Sequence, residues 1–120
     1  MPGGTHLIAE LGECEREALN DEEFLREKLR EAAQIAGATV LGVHSHKFTP
    51  VGVTAFALLA ESHISIHTWP ELGYAAVDAF TCGRSMRTEL AIERVAHALG
   101  SKNTKVITVK RGLRDRDEQR

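Results

Sequence analysis

The residues best suited to chemistry are concentrated between positions 61 and 83, which read Glu-Ser-His-Ile-Ser-Ile-His-Thr-Trp-Pro-Glu-Leu-Gly-Tyr-Ala-Ala-Val-Asp-Ala-Phe-Thr-Cys-Gly. In extended chain alternate side chains share a face, so His63, Ser65, His67 and Trp69 point one way and Ile64, Ile66 and Thr68 the other. The same parity groups Tyr74, Ala76, Asp78, Phe80 and Cys82 against Ala75, Val77, Ala79 and Thr81. A thiol and two imidazoles are therefore expected as neighbours across paired strands. Three readings fit this cluster. The histidines can line a partly solvated sheet face with Cys82 as a small buried hydrophobe. They can hold a metal, since His44 and His46 share one strand face and His63 and His67 another, although the spacing matches no compact zinc motif. Or Cys82 and His67 can act as a thiol–imidazole pair, the thiol as nucleophile or proton donor and the imidazole as base. Spacing alone does not choose among them.

Two absences narrow the chemistry. No glycine-rich loop of the GxGxxG or P-loop kind opens a helix. None of the five lysines, Lys28, Lys47, Lys102, Lys105 and Lys110, falls inside the cluster, so a lysine Schiff base has no candidate there. Carbonyl chemistry at this place needs a carbonyl from another source.

The elements that must position these residues are legible from periodicity. Alternation over residues 6–11 predicts a first strand. Asn20 stands as an N-cap before Asp21, Glu22 and Glu23, whose charge suits a helix start, and Leu25, Leu29, Ala32 and Ala36 form the apolar stripe of the helix that Gly37 ends. β-branched runs over 38–48 and 51–60, separated by Thr49-Pro50, predict a hairpin. Residues 63–69 and 74–82 predict two more strands joined by Pro70-Glu71-Leu72-Gly73. A second helix is expected over 88–99, with Ala91, Val95, Ala98 and Leu99 buried and Gly100 closing it. A last strand follows over 105–110, and the charged tail from Arg111 on is expected to fray. Several of the connections are too short for a parallel crossover, so the expected fold class is α+β: a two-layer sandwich of a mainly antiparallel sheet with helices on one face. The other face, where apolar, needs a cover, and a second copy of the chain pairing sheet to sheet is the simplest.

The chain of 120 residues, 42% apolar and 27% charged, is expected to form one domain around one core. A formal charge of −2 lacks the basic excess of nucleic-acid binding, so no nucleic-acid partner is expected. The longest apolar stretch, residues 51–60, is broken by Gly52 and Thr54 and is too short to span a bilayer, and the first residues carry no basic-then-apolar signal pattern. No membrane association and a cytoplasmic location are expected. Two cysteines, Cys14 and Cys82, make no disulfide scaffold and stand as thiols.

The block Glu61-Ser62-His63-Ile64-Ser65-Ile66-His67-Thr68-Trp69-Pro70-Glu71, continued by Gly73-Tyr74-Ala75-Ala76-Val77-Asp78 and Phe80-Thr81-Cys82-Gly83, closely resembles the prokaryotic S-adenosylmethionine decarboxylase proenzymes. The likeness runs from His6-Leu7-Ile8-Ala9-Glu10 through Glu13-Cys14 and Gly37-Ala38-Thr39 to the last strand. It implies a cofactor made from the backbone. Ser62 Oγ attacks the Glu61 carbonyl to give an ester, and loss of the serine α-proton eliminates the upstream chain as a carboxylate. Residues 1–61 become the β chain and residues 62–120 an α chain that begins with a pyruvoyl group. The resemblance assigns Ser62 as pyruvoyl precursor, His67 as proton acceptor in processing, and Thr54 as the hydroxyl supporting the oxyanion. The family pattern has serine where this chain has Thr54; threonine keeps the hydroxyl and restricts its rotamers, so slower processing is expected. The pyruvoyl carbonyl then condenses with the amino group of S-adenosylmethionine and accepts the electrons left by departing carbon dioxide, without metal or pyridoxal. Cys82 is the implied proton donor to the α-carbon; thiols exchange protons close enough to neutrality to suit that step. The product is decarboxylated S-adenosylmethionine, the aminopropyl donor of spermidine synthesis.

The resemblance also implies substrate contacts. Glu71 offers its carboxylate to the ribose diol, and Phe48 and Trp69 pack on the adenine, although Phe48 fits a strand-end core residue equally well. It implies a homodimer of processed chains whose sites take residues from both protomers. Two alternatives stay open here: a pyruvoyl-dependent arginine decarboxylase with the same self-processing block, and a module that binds metal through His and Cys, or is purely structural, and never processes. One tension is internal. Ser62 and His67 are five residues apart, which in a regular strand puts them on opposite faces, so the chain is expected to bend at residues 61–63 or to begin its strand after Ser62.

Overall fold

The computed structural model describes residues 4–60, 62–82 and 86–113. Along the chain run β1 (Gly4–Gly12), the short helix α1 (Arg16–Leu19), α2 (Glu22–Ile35), β2 (Val40–Lys47), β3 (Val53–Leu59), β4 (Ser62–Trp69), a 3-10 turn (Pro70–Leu72), β5 (Tyr74–Thr81), α3 (Thr88–Ala98) and β6 (Asn103–Arg111). The six strands form one sheet in the order β2-β3-β4-β5-β1-β6. Every neighbouring pair is antiparallel. The expected α+β two-layer architecture is what the chain adopts, and β4 lies in the middle of the sheet.

One sheet face carries Leu7, Ala9 and Leu11 of β1, Val53, Ala55, Ala57 and Leu59 of β3, Ile64 and Ile66 of β4, and Ala75, Val77 and Ala79 of β5, all buried. Against it lie Leu25, Leu29, Ala32 and Ala33 of α2 and Ala91, Ile92 and Val95 of α3. The alternation of each strand and the 3.6-residue stripe of each helix thus meet in a single core. The small alanines of β3 and β5 leave room on that face for the side chains of α2 and α3.

Several local expectations shift. The N-cap of α2 is Asp21, whose carboxylate accepts the Phe24 N–H at 3.0 Å, while the Asn20 side chain accepts the Gly52 N–H at 2.9 Å and so serves the β2–β3 loop instead. Of the stripe expected in the second helix, Ala98 is only partly buried and Ile92 takes its place in the core. Strand β6 extends to Arg111, which pairs with Gly4, so the tail does not fray from that residue; the expectation for residues 114–120 lies outside the described residues. Strand β4 begins at Ser62, and its register with β5 is unbroken from Ser62 opposite Thr81 to Trp69 opposite Tyr74. The bend expected at residues 61–63 is therefore not found at Ser62 or His63, because both residues are pinned by strands on either side. Glu61, one half of the expected cleavage site, lies outside the described residues.

Candidate active site

The sheet face away from the helices carries most of the polar and aromatic side chains of the site. Register across the strands builds it in rows. One row runs His46, Thr54, His67, Ala76, Glu10, Lys105; the next His44, Phe56, Ser65, Asp78, Ile8, Ile107; the third Leu58, His63, Phe80, His6, Val109. Parity thus correctly places His63, Ser65, His67 and Trp69 on one face with Tyr74, Asp78 and Phe80.

At one end lie Ser62 and Cys82. Ser62 shares the parity of Ile64, so its side chain turns toward the helix layer, and its Oγ is the only buried side-chain oxygen or nitrogen among the described residues without a hydrogen-bond partner. An unpaired buried hydroxyl costs about 1–3 kcal/mol. Thr81 is the strand partner of Ser62, and Cys82, partly exposed, follows it directly. Cys14 is a different kind of thiol: it is buried in the core, burial pushes its pKa up, and its Sγ donates to the Leu11 carbonyl at 3.5 Å.

At the opposite end lie Thr54, His67, Phe48, Trp69 and Glu71. Thr54 and His67 face each other across β3 and β4, with Oγ1 and Nδ1 3.0 Å apart. Phe48 sits just past β2 against His46, 46% exposed, which removes its reading as a core residue. Trp69 is 40% exposed. Glu71, exposed in the 3-10 turn, is held by a loop that closes on Gly73 at φ 64°; the Gly73 carbonyl accepts the Cys14 N–H at 2.9 Å. His67 and Ser62 are separated by five strand residues, about 16 Å, and face opposite ways. Cys82 and His67 are likewise not neighbours within one chain, contrary to the pairing expected from parity; the imidazoles in the row nearest Cys82 are His6 and His63.

Between the two ends lies a network that spacing did not single out. Asp78 accepts from His6 Nε2 at 2.7 Å, from His63 Nε2 at 3.2 Å and from the Ser65 hydroxyl. Arg111 donates to the other nitrogen of His6, Nδ1, at 3.0 Å. An ionised carboxylate has no proton to give, so each of these contacts is a donation to Asp78, and the His6 ring carries its proton on Nε2. Burial by itself pushes the Asp78 carboxyl up, but the donors Ser65, His6 and His63 outweigh it and hold it below the ordinary carboxylate range. The available signal was composition: an aspartate alternating with small apolar residues in a central strand is against β-propensity and needs a partner. His44, by contrast, stacks on Phe56 at 5.1 Å. Among the described residues no group of three or more His, Cys, Asp and Glu side chains is arranged to hold a metal ion. No helix among them is long and apolar enough to cross a membrane.

Residues 5–112 match the profile of the family described as S-adenosylmethionine decarboxylase. The chain belongs to that family. It is 50% identical over 115 residues to the S-adenosylmethionine decarboxylase proenzyme of Methanococcus vannielii, covering 96% of this chain and 94% of that one. It is 57% identical over 100 residues to the proenzyme of that name from Prochlorococcus marinus, covering 83% and 80%. The crystal structure of the adenosylmethionine decarboxylase from Aquifex aeolicus superposes with a TM-score of 0.87 at 35% identity, over 96% of this chain and 95% of that one. Family membership and fold agree with the resemblance carried by the block at 61–83.

Proposed function

We propose that this chain is a self-processing decarboxylase of S-adenosylmethionine, cutting its own backbone between Glu61 and Ser62. The observation that carries the reading is the Ser62 hydroxyl: buried, without a partner among the described residues, at the first residue of a central strand in a member of this family. A hydroxyl kept unpaired at that cost is free to attack, and the carbon within its reach is the carbonyl preceding its own nitrogen. Attack breaks the Glu61–Ser62 peptide bond and forms an ester; removal of the serine α-proton expels the upstream chain as a carboxylate. Hydrolysis of the resulting dehydroalanine releases ammonia and leaves the pyruvoyl group. Strand β4 survives the cut because β3 and β5 hold it on both sides.

The pyruvoyl group supplies an electrophilic carbonyl for the substrate's amino group and a sink for the electrons left by carbon dioxide. The chain's own residues do the rest. Cys82, next to the strand partner of Ser62, delivers the proton to the α-carbon. His67 accepts the serine α-proton, and Thr54, whose Oγ1 lies 3.0 Å from His67 Nδ1, supports the oxyanion. Glu71 takes the ribose diol, and Phe48 and Trp69 take the adenine.

One chain cannot bring these groups together, since about 16 Å of strand separates Ser62 from His67. A homodimer formed sheet to sheet, with the ends reversed, brings His67, Thr54, Phe48, Trp69 and Glu71 of each protomer to the end of the other's sheet where β4 begins at Ser62 and Cys82 follows β5. Partly exposed Phe56, Leu58, Ile107 and Val109 lie on that face and favour its burial. The product serves spermidine synthesis in the cytoplasm.

Intact mass under denaturing conditions tests this. Wild type should give one chain of 61 residues and one of 59, the second with a blocked amino terminus, out of the total of 120. Ser62→Ala should remain one chain and release no carbon dioxide. Mature protein should release it from S-adenosylmethionine and not from arginine. A folded wild type that stays uncut and inactive would refute the proposal.

A further inference from the structure

Trp69 and Tyr74 are the single tryptophan and the single tyrosine of the chain. They close the β4–β5 hairpin as its last directly opposed pair, and their rings stack with centroids 5.3 Å apart and planes 29° from parallel. The Tyr74 hydroxyl donates a hydrogen bond to the Glu10 carboxylate on the neighbouring strand β1. Glu10 itself stands opposite Lys105 of β6. The phenol ring is thus fixed at both ends, by its backbone in β5 and by its hydroxyl on β1. A ring held in this way cannot swing off the indole, which leaves Trp69 one covered face and one open one. An indole at a hairpin end, 40% exposed, would otherwise sample several rotamers and lose that freedom each time a ligand stacked on it.

We propose that Tyr74, tethered by Glu10, is a positioning residue that holds the Trp69 indole ready for the purine of the substrate, and so sets substrate affinity and not the rate of the chemical step. This rests on the assignment of Trp69 to the adenine. Tyr74 touches Trp69 and acts through it. Glu10 acts one step further back.

The two lone aromatics make the tether measurable apart from activity. The hydrogen bond to Glu10, then burial, then the charge of Glu10 push the phenol pKa up to about 12. At a pH of about 10, where an ordinary phenol is half ionised, ultraviolet absorbance should show Tyr74 almost wholly protonated in the wild type and distinctly more ionised in Glu10→Ala, which removes both the acceptor and the charge. Tyr74→Phe keeps the stacking ring and cuts the tether. It should raise KM for S-adenosylmethionine about fivefold with kcat within about twofold, and lower the emission anisotropy of Trp69. Glu10→Gln keeps an acceptor for the hydroxyl and should raise KM less.

Half-ionised Tyr74 in folded wild type at that pH would show that the tether does not exist. Unchanged KM and anisotropy in Tyr74→Phe, or a fall in kcat with KM unchanged, would overturn the positioning role. Trp69→Ala separates the two levels. If it leaves KM unchanged while the phenol still resists ionisation, the tether stands but Trp69 is not a substrate contact, and the proposal falls with that assignment.

Discussion

Asp78 is the residue on which most of the open-face polar groups converge, with donors from β1 and β4 arriving at one carboxylate and Arg111 of β6 backing His6 from behind. A carboxylate held below its ordinary pKa stabilises the fold fully above the unfolded value, about 3.9, and that stabilisation is lost as pH falls through the lower, folded value. Asp78→Asn removes the charge and leaves three donors with a poorer acceptor. It should lower stability by about 1–3 kcal/mol above pH ~5. The gap to wild type should close as the medium is taken below pH ~4, and urea midpoints measured across that range check both parts. Tyr74 works in the other direction. Its raised phenol contributes stability that is complete below about pH 10 and is lost as pH rises toward the folded value of about 12. Asp78 and Tyr74 were placed on the correct face by strand parity, but their partners His6, Arg111 and Glu10 come from strands at the two ends of the chain. No local pattern links positions 6, 78 and 111.

Among the elements, the β4–β5 hairpin decides where Glu71 and Trp69, the residues proposed to meet the substrate, stand. Its loop is four residues long, and Gly73 at φ 64° both turns the chain and lies against the Cys14 backbone, where an added Cβ would sit 3.4 Å from the carbonyl oxygen. Gly73→Ala forces a left-handed conformation on a residue with a Cβ, a strain of about 1–2 kcal/mol. The loop should relieve it by shifting, carrying Glu71 and Trp69 with it. The expected result is normal cleavage before Ser62, at the far end of the same strand, with KM raised several-fold; band intensities on a denaturing gel and steady-state kinetics measure the two separately. The elements themselves were legible because helix and strand periods are local properties. Their ends were less so: the α2 cap moved from Asn20 to Asp21 because the Asn20 side chain is taken by Gly52, a contact across sequence. Helix α1 is four residues long and has no amphipathic period to betray it.

For the whole molecule the decisive feature is the distance along β4 between the two halves of one proposed site. If each site takes Ser62 and Cys82 from one protomer and His67 with the aromatic residues from the other, two differently inactive chains should rescue each other. Coexpressed Ser62→Ala and His67→Ala chains should form mixed dimers with one intact site, giving cleavage of the His67→Ala chain and about a quarter of wild-type activity. Either chain alone should give almost none. Absence of rescue in verified mixed dimers would place the whole site within one chain. Sedimentation of the wild type should show a dimer, and Phe56→Glu or Ile107→Glu, each burying a charge in the proposed interface, should shift it toward monomer and reduce activity in parallel.

The order of residues alone determined the α+β class, the two faces of each central strand, the apolar stripes of α2 and α3, and the family carried by the block at 61–83. These follow from periods of two and 3.6 residues and from a run of residue types, all readable over short stretches. Only the tertiary structure decided that Ser62 enters its strand without a bend, its hydroxyl unpaired among the described residues, and that Asp78 gathers His6, His63 and Ser65 while Arg111 backs His6. It alone decided that His67 stands far from Ser62. Those outcomes depend on strand order and register, which long-range packing sets by choosing neighbours, and that choice leaves no trace in the spacing of residues along one strand.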